Sequence, residues 1–281
     1  MAALLALLSA AGYGISDFSG GLASRRAPAI AVVLVSNSLT LLIALFAVAL
    51  LPGSAYHLGD LCWGLAAGSV GVVGVILLYR GLAIGPMSVV APLTAVLSAT
   101  VPVVVGVLRG ERPGALALCG VTLALPAIVL IGRVSDERSG ATVSRGAMVS
   151  ALAAGICFGG FYVLLAQTGS DGGAWPLVGQ RAASVAILLA LTAVAVRRGI
   201  PALPRGRTFG LAVVAGITDF VANLTYVLAT HRGLLALVAV LSSLYAAATL
   251  VLARVVLRER LARGQLGGLA LAAVAVVLIA G

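Results

Sequence analysis

Charge is scarce in this sequence, and lysine is missing altogether. Only 9% of its 281 residues are charged, whereas 62% are hydrophobic. A soluble protein needs roughly 25% charged residues to cover its surface, so this composition excludes a soluble globular protein and indicates an integral membrane protein. The net charge of +10 comes from arginines that flank apolar runs and form no basic patch interleaved with aromatic residues. We therefore predict no nucleic-acid partner.

Residue types that carry catalytic or cofactor chemistry are also few. The sequence has two histidines and three cysteines, and Cys62, Cys119 and Cys157 each lie in or beside an apolar run, where cysteine serves as a small packing residue. No DxxD, HExxH or GxSxG pattern occurs, and no GxxxxGK[ST] loop that would bind a nucleotide. We predict that the protein is not an enzyme and holds no metal and no cofactor.

What the sequence does contain is long apolar runs, and ten of them can each form a helix that crosses the bilayer. Such a helix needs about 20 residues. Connections rich in Gly, Pro, Ser and charge separate the runs, because backbone that leaves a helix must reach water. The first run lacks the basic n-region of a signal peptide and is interpreted as a retained helix. The predicted spans are residues 2–22, 29–51, 60–79, 86–108, 113–132, 146–167, 175–196, 207–229, 234–257 and 264–281.

The chain repeats itself. When residues 85–131 are aligned with 233–279, at an offset of 148, 17 of the 47 positions are identical without a gap. Roughly six identities would be expected from this composition. The first helices match more weakly, at an offset of 145. We predict an all-α integral membrane protein in which a first five-helix repeat spans residues 1–132, a loop spans 133–145 and a second repeat spans 146–281. Since five is odd, the second repeat is inverted relative to the first, as in many secondary transporters.

The arrangement of these features resembles a known family. The 5+5 helices, the glycine-rich first helix and the Glu-Arg pair after spans 4 and 9 (Glu111-Arg112 and Glu259-Arg260) are similar to the ten-helix, EamA-type members of the drug/metabolite transporter superfamily. The resemblance implies a multi-pass protein of the cell membrane, in a bacterium the inner membrane. It also implies a carrier of small organic solutes, often an exporter of amino acids or metabolites, with a central cavity surrounded by helices 1, 3, 4, 6, 8 and 9.

Several alternatives to this function stay open at this point. A multidrug or cation exporter of the same fold, a channel or scramblase, and an intramembrane lipid-modifying enzyme are the other candidates. The expected partners are a small-molecule solute and membrane lipids, and the oligomeric state is left open. Thirteen loop arginines lie on one face of the predicted bundle and three on the other. The positive-inside rule would make the richer face cytoplasmic and place both termini outside, whereas the family resemblance implies termini inside.

The candidate site residues are polar groups inside the spans. Of eight acidic residues, six lie in loops or at the ends of spans, and only Asp17 and Asp219 lie inside spans. An intramembrane carboxylate usually faces a cavity or a partner. Asn223 and Tyr226 follow Asp219 by four and seven residues, which places all three on one face of span 8. These residues are predicted to bind substrate, and we expect Asp219 to bind and release a cation, such as a proton, during transport. The competing interpretation is interhelical hydrogen bonding for packing.

Arg181 in span 7 and Asn37 at the comparable place in span 2 complete the predicted substrate site. A buried arginine offers a planar fork that fits a carboxylate, whether of Asp219, of Asp17 or of a substrate. Asp17 has an alternative partner in the interfacial Arg25.

Further polar and small residues are assigned to other roles. Gln180 is expected to serve packing, and the glycines of span 3 are expected to form a helix contact seam. Three weaker candidates for the cavity are Tyr79, Tyr162 and Gln167.

Overall fold

The computed structural model is all-helical in the residues it describes and contains the ten predicted helices. Their bounds are α1 Ala2–Ser24, α2 Ala29–Leu50, α3 Leu58–Ile84, α4 Met87–Leu108, α5 Ala115–Arg133, α6 Arg145–Leu165, α7 Trp175–Arg197, α8 Arg207–Thr230, α9 Tyr245–Val256 and α10 Arg263–Ala280. The structure describes residues 2–50, 57–108, 115–133, 144–165, 167–168, 175–199, 203–230, 245–258 and 263–280. The predicted Glu-Arg pairs at 111–112 and 259–260 lie outside these ranges.

Five helices contain a described stretch that is long and apolar enough to cross a membrane. These stretches are Ala29–Phe46, Leu58–Ile84, Arg145–Leu164, Trp175–Arg197 and Arg207–Tyr226. Shorter apolar stretches lie in α4, α9 and α10.

Helix α3 extends five residues beyond its predicted end at Tyr79. Arg80 was interpreted as the start of a loop, but the long arginine side chain reaches water from within a helix and does not end it. The helix stops at Gly85, which is extended and donates its N–H to the Gly81 carbonyl, and Pro86 follows.

Helices α1 and α8 pack against each other in opposite directions. The Ser9 hydroxyl donates to the Ala222 carbonyl at 2.9 Å, and the Ser16 hydroxyl donates to the Ala215 carbonyl at 2.9 Å. Residue numbers rise along α1 as they fall along α8, so the C-terminal end of α1 lies beside the N-terminal end of α8.

Helices α3 and α6 are packed in the same antiparallel manner. Gly74 faces Cys157 near the middle of α3, and Gly81 faces Ser150 near its end. The ends of α1 and α3 and the beginnings of α6 and α8 therefore meet at one end of the bundle. We name it the arginine-rich end, after Arg25, Arg26, Arg80, Arg145 and Arg207, and the opposite end the arginine-poor end.

The contacts between the two predicted repeats occur in equivalent pairs. A Cβ atom on Gly68 of α3 would collide with the carbonyl oxygen of Gln180 in α7, and a Cβ on Gly216 of α8 would lie 2.9 Å from the carbonyl oxygen of Ser36 in α2. Gly68 and Gly216 differ by 148 positions, and Ser36 and Gln180 by 144. The inverted orientation of the two repeats stays a prediction, and it requires antiparallel packing of this kind between equivalent helices.

The predicted glycine seam on α3 makes close contacts with α6 and α7. Gly64 meets the backbone of Pro176 and Gly68 meets that of Gln180, while Gly71 and Gly74 face the rings of Phe161 and Phe158. In a membrane, helix association depends on van der Waals packing, and small residues let the backbones approach.

The Gly68→Ala substitution should destabilise the protein, because its Cβ meets a backbone carbonyl that cannot rotate away. We expect a loss of about 1–3 kcal/mol of stability, as for other overpacked sites, measured as a lower melting temperature in detergent. Gly59→Ala in the same helix is the matched control, since no atom lies within 4 Å of its Cβ position. Equal melting temperatures for the two variants would contradict the seam.

Candidate functional site

A central cavity contains most of the polar groups that the sequence places inside the membrane. It encloses about 880 Å³, including the space at its open mouth. Among the described residues, helices α1, α2, α3, α6, α7, α8 and α9 line it. The lining residues are Tyr13, Ser16, Asp17, Ser36, Asn37, Gly71, Val72, Val75, Leu78, Tyr79, Phe158, Phe161, Tyr162, Gln180, Arg181, Ser184, Asp219, Asn223 and Tyr245.

The helices around the cavity differ from the set expected from the family resemblance. Helices 1, 3, 6, 8 and 9 line it as expected, but helix 4 contributes no lining side chain among the described residues. Helix α4 packs instead against α6, α9 and α10, and the Thr94 hydroxyl donates to the Ala151 carbonyl of α6. Helices 2 and 7 take part because they contact each other across the centre of the bundle.

Arg181 is the centre of the polar network in this cavity. Its side chain is buried, with Nη2 2.7 Å from Oδ2 of Asp219 and Nη1 3.0 Å from Oδ1 of Asn37. The predicted partnership of Arg181 with Asp219 is therefore present in this conformation, and that with Asp17 is not. The Arg181 guanidinium therefore connects α7 by hydrogen bonds to both α8 and α2.

Asn37 presents its carbonyl oxygen to Arg181 because its amide nitrogen is already engaged. Nδ2 donates to the Val33 carbonyl one turn earlier in α2, at 3.1 Å. The bond fixes the amide so that Oδ1 faces the guanidinium. A neutral acceptor stabilises the arginine without neutralising its charge.

Two neighbours of Asp219 on α8, Asn223 and Tyr226, form no hydrogen bond with its carboxylate among the described residues. Asn223 lines the cavity, but its Nδ2 donates at 2.8 Å to the main-chain carbonyl of Asp219, not to the side chain. Tyr226 is half-buried and packs against the cluster of Ala6 and Ala229 between α1 and α8, and it is not among the lining residues. A helical face is wide enough for Tyr226 to share it with Asp219 and still turn toward a neighbouring helix.

Asp17 lines the same cavity from α1, and the described residues include no hydrogen-bond or ion-pair partner for its carboxylate. The alternative partner Arg25 donates to the carbonyls of Leu82 and Gly85. The cavity thus carries two carboxylates and one guanidinium, and the guanidinium pairs with Asp219 only.

Gln180, expected to serve packing, lies on the cavity wall beside Arg181. Its Oε1 is buried with no hydrogen-bond partner among the described residues, and a buried acceptor without a partner carries a free-energy cost that a ligand N–H would relieve. Of the weaker candidates, Tyr79 and Tyr162 line the cavity, whereas Gln167 is exposed and donates to the Val163 carbonyl nearby.

The internal repeat would have identified the lining residues that were missed. Ser36 and Gln180 are equivalent at the offset of 144 that also relates Asn37 to Arg181. At an offset of 145, Tyr13, Ser16 and Asp17 of α1 correspond to Phe158, Phe161 and Tyr162 of α6, and all six line the cavity. The lining positions are thus shared by the two halves, although their side chains differ.

Aromatic rings border the polar network. The rings of Tyr13 and Tyr245 lie 6.4 Å apart in an edge-to-face arrangement, and those of Phe161 and Tyr162 lie 5.2 Å apart. Among the described residues, no group of three or more His, Cys, Asp or Glu side chains is placed to hold a metal ion. The cavity combines ionic groups with a largely aromatic wall, as sites for small organic ligands do.

Comparison with known proteins identifies the family. The profile of the EamA-like transporter family matches residues 1–133 and again 145–281. A solved structure titled "Crystal structure of protein" has a TM-score of 0.65 at 16% identity, covering 99% of this chain and 94% of that chain, and shows the fold alone. No curated protein matches. Because the family profile covers nearly the whole sequence, the chain belongs to the EamA-like transporter family.

Proposed function

We propose that this membrane transporter is a secondary carrier that moves a small zwitterionic solute, an amino acid or a related metabolite, by alternating access. The observation that carries the proposal is the buried Arg181 at the junction of α2, α7 and α8, inside a cavity that both halves of the chain line. Inverted halves around a central site are the architecture of many secondary transporters.

The carboxylate of the solute would bind Arg181. Its guanidinium is a planar fork suited to a carboxylate, and its present partner Asp219 occupies that position at 2.7 Å. A substrate carboxylate that replaces Asp219 keeps the guanidinium paired and breaks the ion pair that joins α7 to α8. The loss of the Asp219 partnership would then couple binding to movement between helices.

The amino group of the solute would bind on the opposite wall. Asp17 offers a carboxylate without a partner among the described residues, and Gln180 offers a buried amide oxygen. An ammonium group can donate three hydrogen bonds. Of the two acceptors on this wall, only the Asp17 carboxyl can carry a charge. The aromatic wall would enclose the apolar part of the solute.

A second candidate, export of an organic cation, has one specific observation in its favour. Arg181 is already neutralised by Asp219, so an Asp17 that ionises beside a bound cation would be the uncompensated charge of the described cavity. A cation would bind there without disturbing the ion pair, and the aromatic rings would add cation–π attraction.

The transport direction, the location and the driving reaction are inferred from the family and from the carboxylates inside the membrane. We propose that the solute is exported and that the protein lies in the cell membrane of a bacterium. We also propose that proton exchange at an intramembrane carboxylate drives transport. No catalytic step is proposed. A substrate screen on reconstituted vesicles, with and without a pH gradient, tests these points, and saturable exchange across the membrane would exclude a channel.

Arg181→Lys should impair transport of carboxylate-bearing solutes at least about tenfold, because lysine keeps the charge but loses the fork that contacts Asn37 and Asp219 together. Uptake into vesicles measures the effect. Arg254→Lys is the matched control, since Arg254 is an exposed arginine of α9 outside the cavity lining. Full activity in Arg181→Ala at normal expression would make Arg181 a structural residue.

Asp219→Asn should lower the melting temperature and abolish pH-driven accumulation, because it leaves a buried guanidinium without its counter-charge. The double variant Arg181→Gln, Asp219→Asn removes both charges and should recover the stability but not the transport. Melting in detergent and uptake in vesicles separate the two effects. Normal stability together with normal pH-driven uptake in Asp219→Asn would contradict both roles.

Asp17→Asn distinguishes the two substrate classes. It should reduce the affinity for a zwitterion and abolish binding of a simple organic cation, since the cation has no other unpaired charge in the described cavity. Thr122→Ala, at an exposed residue of α5 outside the cavity lining, is the neutral comparison. Cation binding that survives Asp17→Asn would remove Asp17 from the site.

A further inference from the structure

The central cavity is closed at the arginine-rich end. Tyr79 of α3 is only 3% exposed, and its ring occupies the space where a side chain on Gly20 of α1 would lie. The Tyr79 hydroxyl donates to the Ser16 carbonyl at 3.4 Å and lies 3.5 Å from the Ser16 hydroxyl. Because Tyr79 and Ser16 both line the cavity, this contact forms its floor on that side.

Beyond Tyr79, toward the arginine-rich end, the protein is densely packed. A Cβ atom on Gly21 would meet the Leu82 side chain, and Arg25 spans from α1 to the carbonyls of Leu82 and Gly85. Many of the largest fully buried side chains lie in this region, near the start of α2 and the α3–α4 connection; among them are Val32, Val33, Leu82, Met87, Val89 and Val90. Among the described residues, this packing fills the region between α1, α2 and the α3–α4 connection.

The arginine-poor end is built from the equivalent helices but is arranged differently. Helices α1 and α3 pack together, whereas their counterparts α6 and α8 make at most marginal contact within the described residues. Tyr162, near the end of α6, lines the cavity and is 45% exposed. Within the described residues, α1 and α3 thus pack more closely than their counterparts α6 and α8.

We propose that Tyr79 is the gate residue of this transporter and that it closes the cavity toward the arginine-rich end in the described conformation. In the opposite conformation α1 and α3 separate, the Tyr79 ring leaves the Gly20 position, and α6 approaches α8. The proposal deepens the alternating-access mechanism proposed above and rests on it.

The contacts of Tyr79 suit a gate that must open repeatedly. Its hydrogen bonds to Ser16 are long, and such bonds contribute little. The ring is held chiefly by packing against α1 at Gly20, where the helix has no side chain. A flat face lets the ring slide out without rotamer changes in α1, so the closed state is well packed but not locked by an ion pair.

Thiol labelling tests the gate without knowledge of the substrate. Val75, which lines the cavity from α3 one turn before Tyr79, is replaced by cysteine in a chain whose Cys62, Cys119 and Cys157 are changed to alanine. A membrane-impermeant maleimide is applied to sealed vesicles of both orientations. Because a minor conformation is populated at about 0.1–10%, labelling from the arginine-poor side should be at least about tenfold faster.

Variants of the gate should reduce this asymmetry. Tyr79→Ala removes the ring and Gly20→Leu fills its position, so each should raise labelling from the arginine-rich side by about tenfold. Tyr79→Phe keeps the ring and should change it little. Gly59→Leu is the control for a bulky substitution, since nothing lies within 4 Å of that Cβ position. Size-exclusion chromatography in detergent identifies the variants that fold.

Equal labelling of Val75→Cys from the two sides with the gate intact would overturn the proposal, and this measurement needs no gate variant. An unchanged rate ratio in whichever of Tyr79→Ala and Gly20→Leu folds would also overturn it. Failure of the proposed function gives a different result. In that case labelling is still one-sided and still responds to the gate variants, but solute uptake is not saturable. Such a result would support the gate and contradict the carrier mechanism.

Discussion

The arrangement of the cavity depends on one constraint, that a guanidinium inside a membrane bundle must be compensated. Placing an arginine near the middle of a bilayer costs about 2.5–3.5 kcal/mol on insertion scales. Arg181 meets this constraint with a charged partner, Asp219, and a neutral one, Asn37. Because these partners belong to different helices, the same two bonds that make the arginine tolerable also hold α2, α7 and α8 together around the cavity.

The Arg181–Asn37 bond has a further geometric meaning. The two residues are equivalent at the offset of 144, and if the halves are inverted as predicted, a contact between a residue and its own repeat equivalent would lie on the axis that relates them. The glycine contacts on either side, of Gly68 with α7 and of Gly216 with α2, obey the same relation. Close packing of backbones therefore builds a nearly symmetric frame, in which van der Waals contact replaces the hydrophobic effect that drives helix packing in water.

The chemistry of the site arises where this symmetry is broken. In the internal repeat, Asp219 corresponds to Gly71 and Asp17 to Tyr162. Each carboxylate therefore occupies a position whose equivalent in the other half is uncharged. The packing within the described residues is also unequal, since α1 and α3 pack together whereas α6 and α8 make at most marginal contact. In the alternating-access mechanism proposed above, the two conformations would differ by an exchange of these two arrangements.

The sequence by itself determined the membrane class, the ten helices and the polar residues that face one another, because composition and the 3.6-residue period act locally along each helix. Asp17, Asn37, Arg181, Asp219 and Asn223 were all predicted and all line the cavity. The tertiary structure alone decided which of them pair. Side-chain bonds between helices depend on rotation and depth in the bundle, and no pattern within one helix records them. For that reason Tyr226 shares a face with Asp219 yet packs against α1, and Gln180 lies on the cavity wall although it points away from Arg181 on a helical wheel.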